Sequence, residues 1–200
     1  MKRPRMAPRI GCALGVLVLL LSADPLWARG PRMSESEKLQ FEQLRVQQAE
    51  QACKESNYKA FFSLMVQSEV VRRKFTAEKV EYSEIGARGS TRNTVIARLD
   101  YDRFPIRMLD YQWRSARPLK PGDDQEQIVA ELSTDQSGRV TVEWTRVHYR
   151  APLKGEGSLG TPYDLDGKRY NAARPGHGRL VLSPAGNCWQ LSADIRRASR

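Results

Sequence analysis

The residues best placed to do chemistry lie in the stretch Arg139–Arg150. Alternate side chains of an extended strand share a face, so Val140, Val142 and Trp144 fall in line with Arg146, His148 and Arg150. An apolar floor that runs into a cationic end suits a bound carboxylate or phosphate held by the guanidinium of Arg146. It also suits proton transfer at His148, whose imidazole titrates near neutrality. The plainer alternative is a strand that leaves the core for water. Asp110 stands between Leu109 and Tyr111 and shares a face with Met108 and Gln112 in a strand read from Ile106 to Arg114. It is the acid that could pair with Arg146 or accept a proton. The candidate ligand-binding set is therefore Trp144, Arg146, His148 and Asp110.

Other chemistries find less support. Asp164-Leu165-Asp166-Gly167 has the opening of a calcium loop without the later ligands or the closing glutamate, and a tight Asp-Gly hairpin accounts for it. His148 and His177 are the only histidines, and neither has a metal-ligand spacing to cysteine or acid. No glycine-framed serine elbow occurs, and Ser183 before Pro184 reads as a turn. Gly155-Glu156-Gly157-Ser158-Leu159-Gly160 has a dinucleotide-like rhythm but does not open a helix after a strand. No catalytic residue, metal or cofactor is assigned, and the chain reads as a binder more readily than an enzyme.

The opening residues bear on where that binding would take place. Lys2, Arg3, Arg5 and Arg9 precede an apolar run from Ile10 to Ala23, and Pro25 breaks it. This is the pattern of a cleavable export signal over residues 1–28, cut after Ala28 or, alternatively, after Ala23. The run is shorter than the roughly twenty residues of a membrane span. Removing it takes Cys12 away and leaves Cys53 and Cys188, an even pair that in an oxidising compartment is most simply a disulfide. Such a bridge would contribute on the order of 4–5 kcal/mol by loop closure. Two free buried thiols are the alternative, because Cys188 alternates with Trp189, Leu191, Ala193 and Ile195, which read as core-facing.

The elements that must position these residues follow in order. Residues 29–33 form a disordered lead, and Ser34 or Ser36 then caps a helix whose stripe is Leu39, Val46, Ala49 and Cys53. Tyr58, Phe61, Phe62 and Met65 have the spacing of a second helix. Ser68 caps a further turn through Val71 and Phe75, ending in Arg72, Arg73 and Lys74, where cations suit the helix dipole. Beyond it, β-rich segments are read at Val80–Ile85, Thr94–Tyr101, Ile106–Arg114, Gln127–Thr134, Arg139–Tyr149, Arg179–Ser183 and Cys188–Ile195. Asp135-Gln136-Ser137-Gly138 and Ser183-Pro184-Ala185-Gly186-Asn187 are hairpin turns, and 152–178 is a long loop with a small hairpin near Asp166-Gly167. Helices first and an antiparallel meander afterwards predict one α+β domain over 34–196, with a tail at 197–200.

In element order and texture this arrangement resembles the nuclear-transport-factor and ketosteroid-isomerase superfamily. The resemblance rests on Ser56-Asn57-Tyr58-Lys59-Ala60-Phe61-Phe62, on Ser68-Glu69-Val70-Val71-Arg72 and on the strands after them. It implies helices lying against a curved antiparallel sheet in a cone, whose interior holds ligands in many members and acidic, His or Tyr catalysts in some. No catalytic position carries over by motif. The expected function is an exported, non-enzymatic domain that offers a pocket or sheet face to a small ligand or protein partner in the cell envelope. A small isomerase or dehydratase using Asp110 or His148 is the alternative, as is an accessory or inhibitor protein that binds an acidic partner. A formal charge of +10 on 200 residues, spread as scattered arginines, favours acidic surfaces without specificity and does not point to nucleic acid. A homodimer through the sheet stays open.

Overall fold

The computed structural model describes residues 33–116, 126–150, 160–165, 167–174 and 176–197. The expected export signal at 1–28, all but Gly160 of the glycine-rich stretch 155–160, and Asp166 lie outside the described residues. The chain folds as an α+β domain, with N-terminal helices packed on a large, curved, unclosed mixed sheet.

Helix α1 (Glu35–Lys54) is built of good helix formers, yet only its second half is apolar in a way that packs. Ala49, Ala52 and Cys53 are buried there, small side chains that let the backbone approach its neighbours. Leu39, predicted on the buried stripe, is exposed together with Phe41 and Leu44. The tertiary ties of α1 begin farther along: Glu42 accepts from the Ser68 hydroxyl, and Arg45 donates to the carbonyl of Gln67.

Helix α2 (Tyr58–Gln67) is capped by the Asn57 side chain, which accepts from the amide of Ala60. Its spacing buries Phe61, Phe62 and Met65, as the periodicity predicts, with Val66 beside them, while Tyr58 is half-buried. Helix α3 (Glu69–Lys74) is capped by Ser68, whose hydroxyl accepts from Val71 N, and it ends in Arg72, Arg73 and Lys74.

The strands are β1 (Thr76–Ile85), β2 (Thr91–Ala97), β3 (Ile106–Leu109), β4 (Gln112–Ser115), β5 (Gln127–Thr134), β6 (Val140–Tyr149), β7 (Pro162–Asp164), β8 (Gly178–Ala185) and β9 (Cys188–Arg197). They lie in the order β2-β1-β9-β8-β6-β5-β4-β3, with β7 added on β6. The expected antiparallel meander needs one correction, because the first and last strands, β1 and β9, meet in parallel. A parallel neighbour need not be joined by a short turn, so chain order does not reveal it.

Two hairpins form as predicted. Asp135 Oδ1 gathers Ser137 N, Ser137 Oγ and Arg139 N in the β5–β6 turn, and Gly186, at φ 62°, turns β8 into β9. Asp164 accepts from the amides of Gly167 and Lys168, which closes the small hairpin after β7.

The segment Ile106–Arg114 is not one strand. Asp110 and Tyr111 both have positive φ, 49° and 59°, and fold β3 back on β4 in a two-residue turn of the type that right-twisted hairpins favour. No glycine marks this turn. Likewise the segment read as Thr94–Tyr101 ends as a strand at Ala97 and continues in a single 3-10 turn, Arg98–Asp100.

The core lies between α2 and the sheet. Phe61, Phe62 and Met65 are fully buried, as are Val140, Val142, Leu180, Leu182 and Leu191 from β6, β8 and β9. Each such side chain contributes about 1.5–3 kcal/mol relative to exposure. The two adjacent phenylalanines face opposite limbs of the sheet. Phe61 meets Trp189 of β9 at 5.5 Å and Phe75 at 5.1 Å, whereas Phe62 meets Trp113 of β4 at 5.6 Å and Phe104 at 6.3 Å. A sheet whose distant strands both touch one helix has to bend around it.

Cys53 of α1 and Cys188 of β9 are joined in a disulfide, with Cα atoms 4.7 Å apart and a sequence separation of 135. The alternation that argued against this bridge does not hold at the start of β9, where Cys188 and Trp189 are both half-buried against the core, nor farther along it. Ser192 is the extra residue of a bulge: Leu191 pairs with Leu182 and Ala193 with Val181. Beyond it Asp194 is buried, and Ile195, read as core-facing, is only half-buried.

Candidate functional site

Trp144 sits on β6 directly opposite Gly178 of β8. A Cβ at position 178 would stand 2.7 Å from the indole Nε1, and one at position 176 would stand 2.5 Å from the Trp144 carbonyl oxygen. Gly178 thus leaves room for the indole ring, and Gly176 lets its backbone pass close to that of Trp144. At 6 % exposure the indole is nearly sealed, and its Nε1 hydrogen meets no acceptor among the described residues. Buried donors are nearly always satisfied in folded proteins, so an orphaned one is worth explaining.

Trp144 and Arg146 together line a cavity of about 460 Å³, with Phe104, Pro105, Ser115 and His177 on its wall. Arg103, Arg196 and Arg197 complete a basic surround in which the lining acid is Asp102. Other carboxylates stand behind the guanidiniums. Glu126, 1 % exposed, lies 3.5 Å from Arg146 Nη1, and Glu143 lies 3.7 Å from Arg197 Nη1. Each lies within ion-pair reach of its arginine, and a guanidinium with five donors can serve a carboxylate and a ligand together.

His177 accepts at Nδ1 from the backbone amide of Arg146, at 3.3 Å. In the neutral ring this leaves the proton on Nε2. Its carbonyl accepts in turn from Arg197 N at 2.8 Å, so β6, β9 and the Gly176-His177-Gly178 segment are tied at the cavity.

Behind Arg196 lies a network that the alternation pattern concealed. Asp194, with no exposed surface, accepts from Arg196 Nη2 at 2.7 Å and from the Tyr101 hydroxyl at 2.8 Å. Burial pushes the Tyr101 phenol well above its ordinary range, and the adjacent Asp194 charge pushes it farther. For Arg196, burial is the largest single influence and works against the charge, but the hydrogen bond to Asp194 and the charge of that carboxylate together hold the guanidinium above the usual arginine value. Tyr82 lies under both Arg103 and Arg196, whose guanidinium carbons stand 5.5 and 5.3 Å from its ring centre.

Of the four residues singled out in the sequence, the structure brings two together. Trp144 and Arg146 share the cavity. His148 pairs across to Tyr163 of β7 and is not on its wall, while the histidine there is His177. Asp110 sits exposed at the tip of the β3–β4 turn, so the strand position that would have aimed it at Arg146 does not exist. Arg103, His177, Arg196 and Arg197 escaped the reading. Only the glycines flanking His177 and the paired arginines closing the last strand hint at them in sequence. Among the described residues no cluster of His, Cys, Asp or Glu could hold a metal ion.

No known family model matches the chain, and no curated protein is similar to it. Among solved structures it is similar to a DUF4783 family protein from Bacteroides ovatus, with 10 % identity and a TM-score of 0.32 over 75 % of this chain and 91 % of the other. It is also similar to an NTF2-like protein of unknown function from Shewanella baltica, with 5 % identity and a TM-score of 0.29 over 82 % of this chain and 95 % of the other. Neither likeness bears on what this chain binds.

Proposed function

We propose that the cavity at Trp144 and Arg146 binds a small amphiphilic organic anion and that the chain is a binding protein rather than an enzyme. The observation that carries this is the buried indole N–H of Trp144, which has no acceptor among the described residues and belongs to a residue whose cavity wall also carries four arginines. An anionic head would accept from it and from the Arg146 and Arg196 guanidiniums, and the apolar body would lie against Trp144, Phe104 and Pro105. Asp110 and His148, the proton acceptors of an isomerase-like reading, do not line this space.

Export belongs to the same reading. The basic and apolar opening of the chain supports it, and the disulfide between Cys53 and Cys188 is compatible with an oxidising compartment. No helix among the described residues is long and apolar enough to cross a membrane.

The test is a fluorescence titration of the folded chain with anilinonaphthalene sulfonate, an aromatic anion. Trp144→Phe and Arg146→Gln should each weaken saturable binding about ten-fold or more, the scale of one lost charge-assisted hydrogen bond. Arg139→Gln, at an exposed strand entrance, should leave it unchanged. Equal affinity in all three variants would remove this cavity as the site.

A further inference from the structure

A second cavity, of about 710 Å³, shares Asp102, Phe104 and Ala116 with the first but is walled by α3 and the 3-10 turn. Arg72, Arg73, Arg98 and Arg107 reach it, against the acids Glu69 and Asp102. Glu69 is taken by Arg73 at 2.5 Å, and Asp102 lies 3.9 Å from Arg103.

The remaining three guanidiniums have no bonded carboxylate among the described residues. Arg72 gives Nη1 to the carbonyls of Met65 and Val66, at 2.9 and 3.1 Å, and rests over the Phe104 ring. Those carbonyls orient it without neutralising it, and burial lowers its proton affinity. Arg98 and Arg107 show no acceptor among the described residues, and the Nε of Arg107 is buried.

We propose that this cavity is a separate site for a phosphoryl group, with Arg98 and Arg107 as its forked ligands and Arg72 as a fixed charge behind them. A planar guanidinium matches two oxygens of a phosphate at once. Several guanidiniums on one cavity wall without bonded acids among the described residues favour a multiply charged oxyanion over a single carboxylate, and Tyr101 and Leu99 lie on the same wall. This site uses none of Trp144, Arg146 or His177, so it stands whether or not the organic anion binds.

The experiment is calorimetric titration of the full chain with inorganic pyrophosphate at low ionic strength, where such interactions are least screened. Arg107→Gln and Arg98→Gln should each reduce affinity about ten-fold, and Arg107→Lys should recover part of the loss. Trp144→Phe and the exposed-site control Arg139→Gln should change nothing. Absence of saturable binding would overturn the proposal, as would an equal loss in Arg107→Gln and Arg139→Gln with all variants melting alike. Co-sedimentation with phosphatidate vesicles, compared with phosphatidylcholine vesicles, then identifies the source. Arg107-dependent sedimentation assigns the phosphoryl group to a lipid head, and pyrophosphate binding without sedimentation assigns it to a free phosphate ester.

Discussion

Asp194 shows how much one side chain can carry in this molecule. Its carboxylate has no exposed surface and is held by Arg196 and by the Tyr101 hydroxyl. Replacing one partner of a buried ion pair leaves the other charge uncompensated, which costs about 3–5 kcal/mol. Because the Arg196 side chain keeps 27 % of its surface in water, the lower end applies. Asp194→Asn should therefore lose about 3 kcal/mol in denaturant unfolding, whereas a loss below about 1 kcal/mol would put the pair among weakly contributing surface bridges. The same network sets an alkaline limit. The folded chain holds the Tyr101 proton more tightly than the unfolded chain does, so this stabilisation is complete below about pH 10, the ordinary tyrosine value. It is lost as the pH climbs toward the higher folded value. Tyr101→Phe should flatten that alkaline decline, read as unfolding midpoints on a pH series from neutral upward.

At the scale of elements, the turns decide what could be read in advance. Helix α2 was legible because Phe61, Phe62 and Met65 repeat at helical spacing, and the β5–β6 hairpin because Asp135 and Gly138 are the residues such a turn needs. The β3–β4 hairpin was not, because residues with positive φ there are Asp110 and Tyr111 rather than glycine. The bulge at Ser192 hid Asp194 and Arg196 in the same way, since one extra residue exchanges the faces of everything after it. Trp144 and Arg146 were legible because they lie two residues apart on one face of β6, and His177 was not, because a loop histidine leaves no periodic trace. The unmarked turn yields a prediction. Tyr111 is fully exposed and has no packing to lose, but a side chain with a Cβ is strained in the left-handed region. Tyr111→Gly should raise stability in urea by about 0.5–1 kcal/mol, the relief of strain less the added freedom of the unfolded chain. A decrease would mean that the hairpin does not hold this turn.

For the whole molecule, the disulfide is a covalent tie from the buried end of α1 to the start of the last strand. It joins residues 135 apart in sequence, and both lie beside packing that already exists: Cys53 next to Ala49 and Ala52, and Cys188 next to Trp189 on Phe61. The folded state therefore has little to gain from the bond as a contact. Its contribution acts mainly on the unfolded chain, whose freedom a loop of this size restricts by on the order of 4–5 kcal/mol. Replacing Cys53 and Cys188 together by serine should leave the secondary structure intact and lower the stability by about that amount in guanidinium, with the reduced wild-type chain matching the variant. The slope of the transition should also steepen without the bond, because a freed unfolded chain exposes more surface to denaturant. A lower midpoint with an unchanged slope would instead locate the effect in the folded packing of α1 against β9.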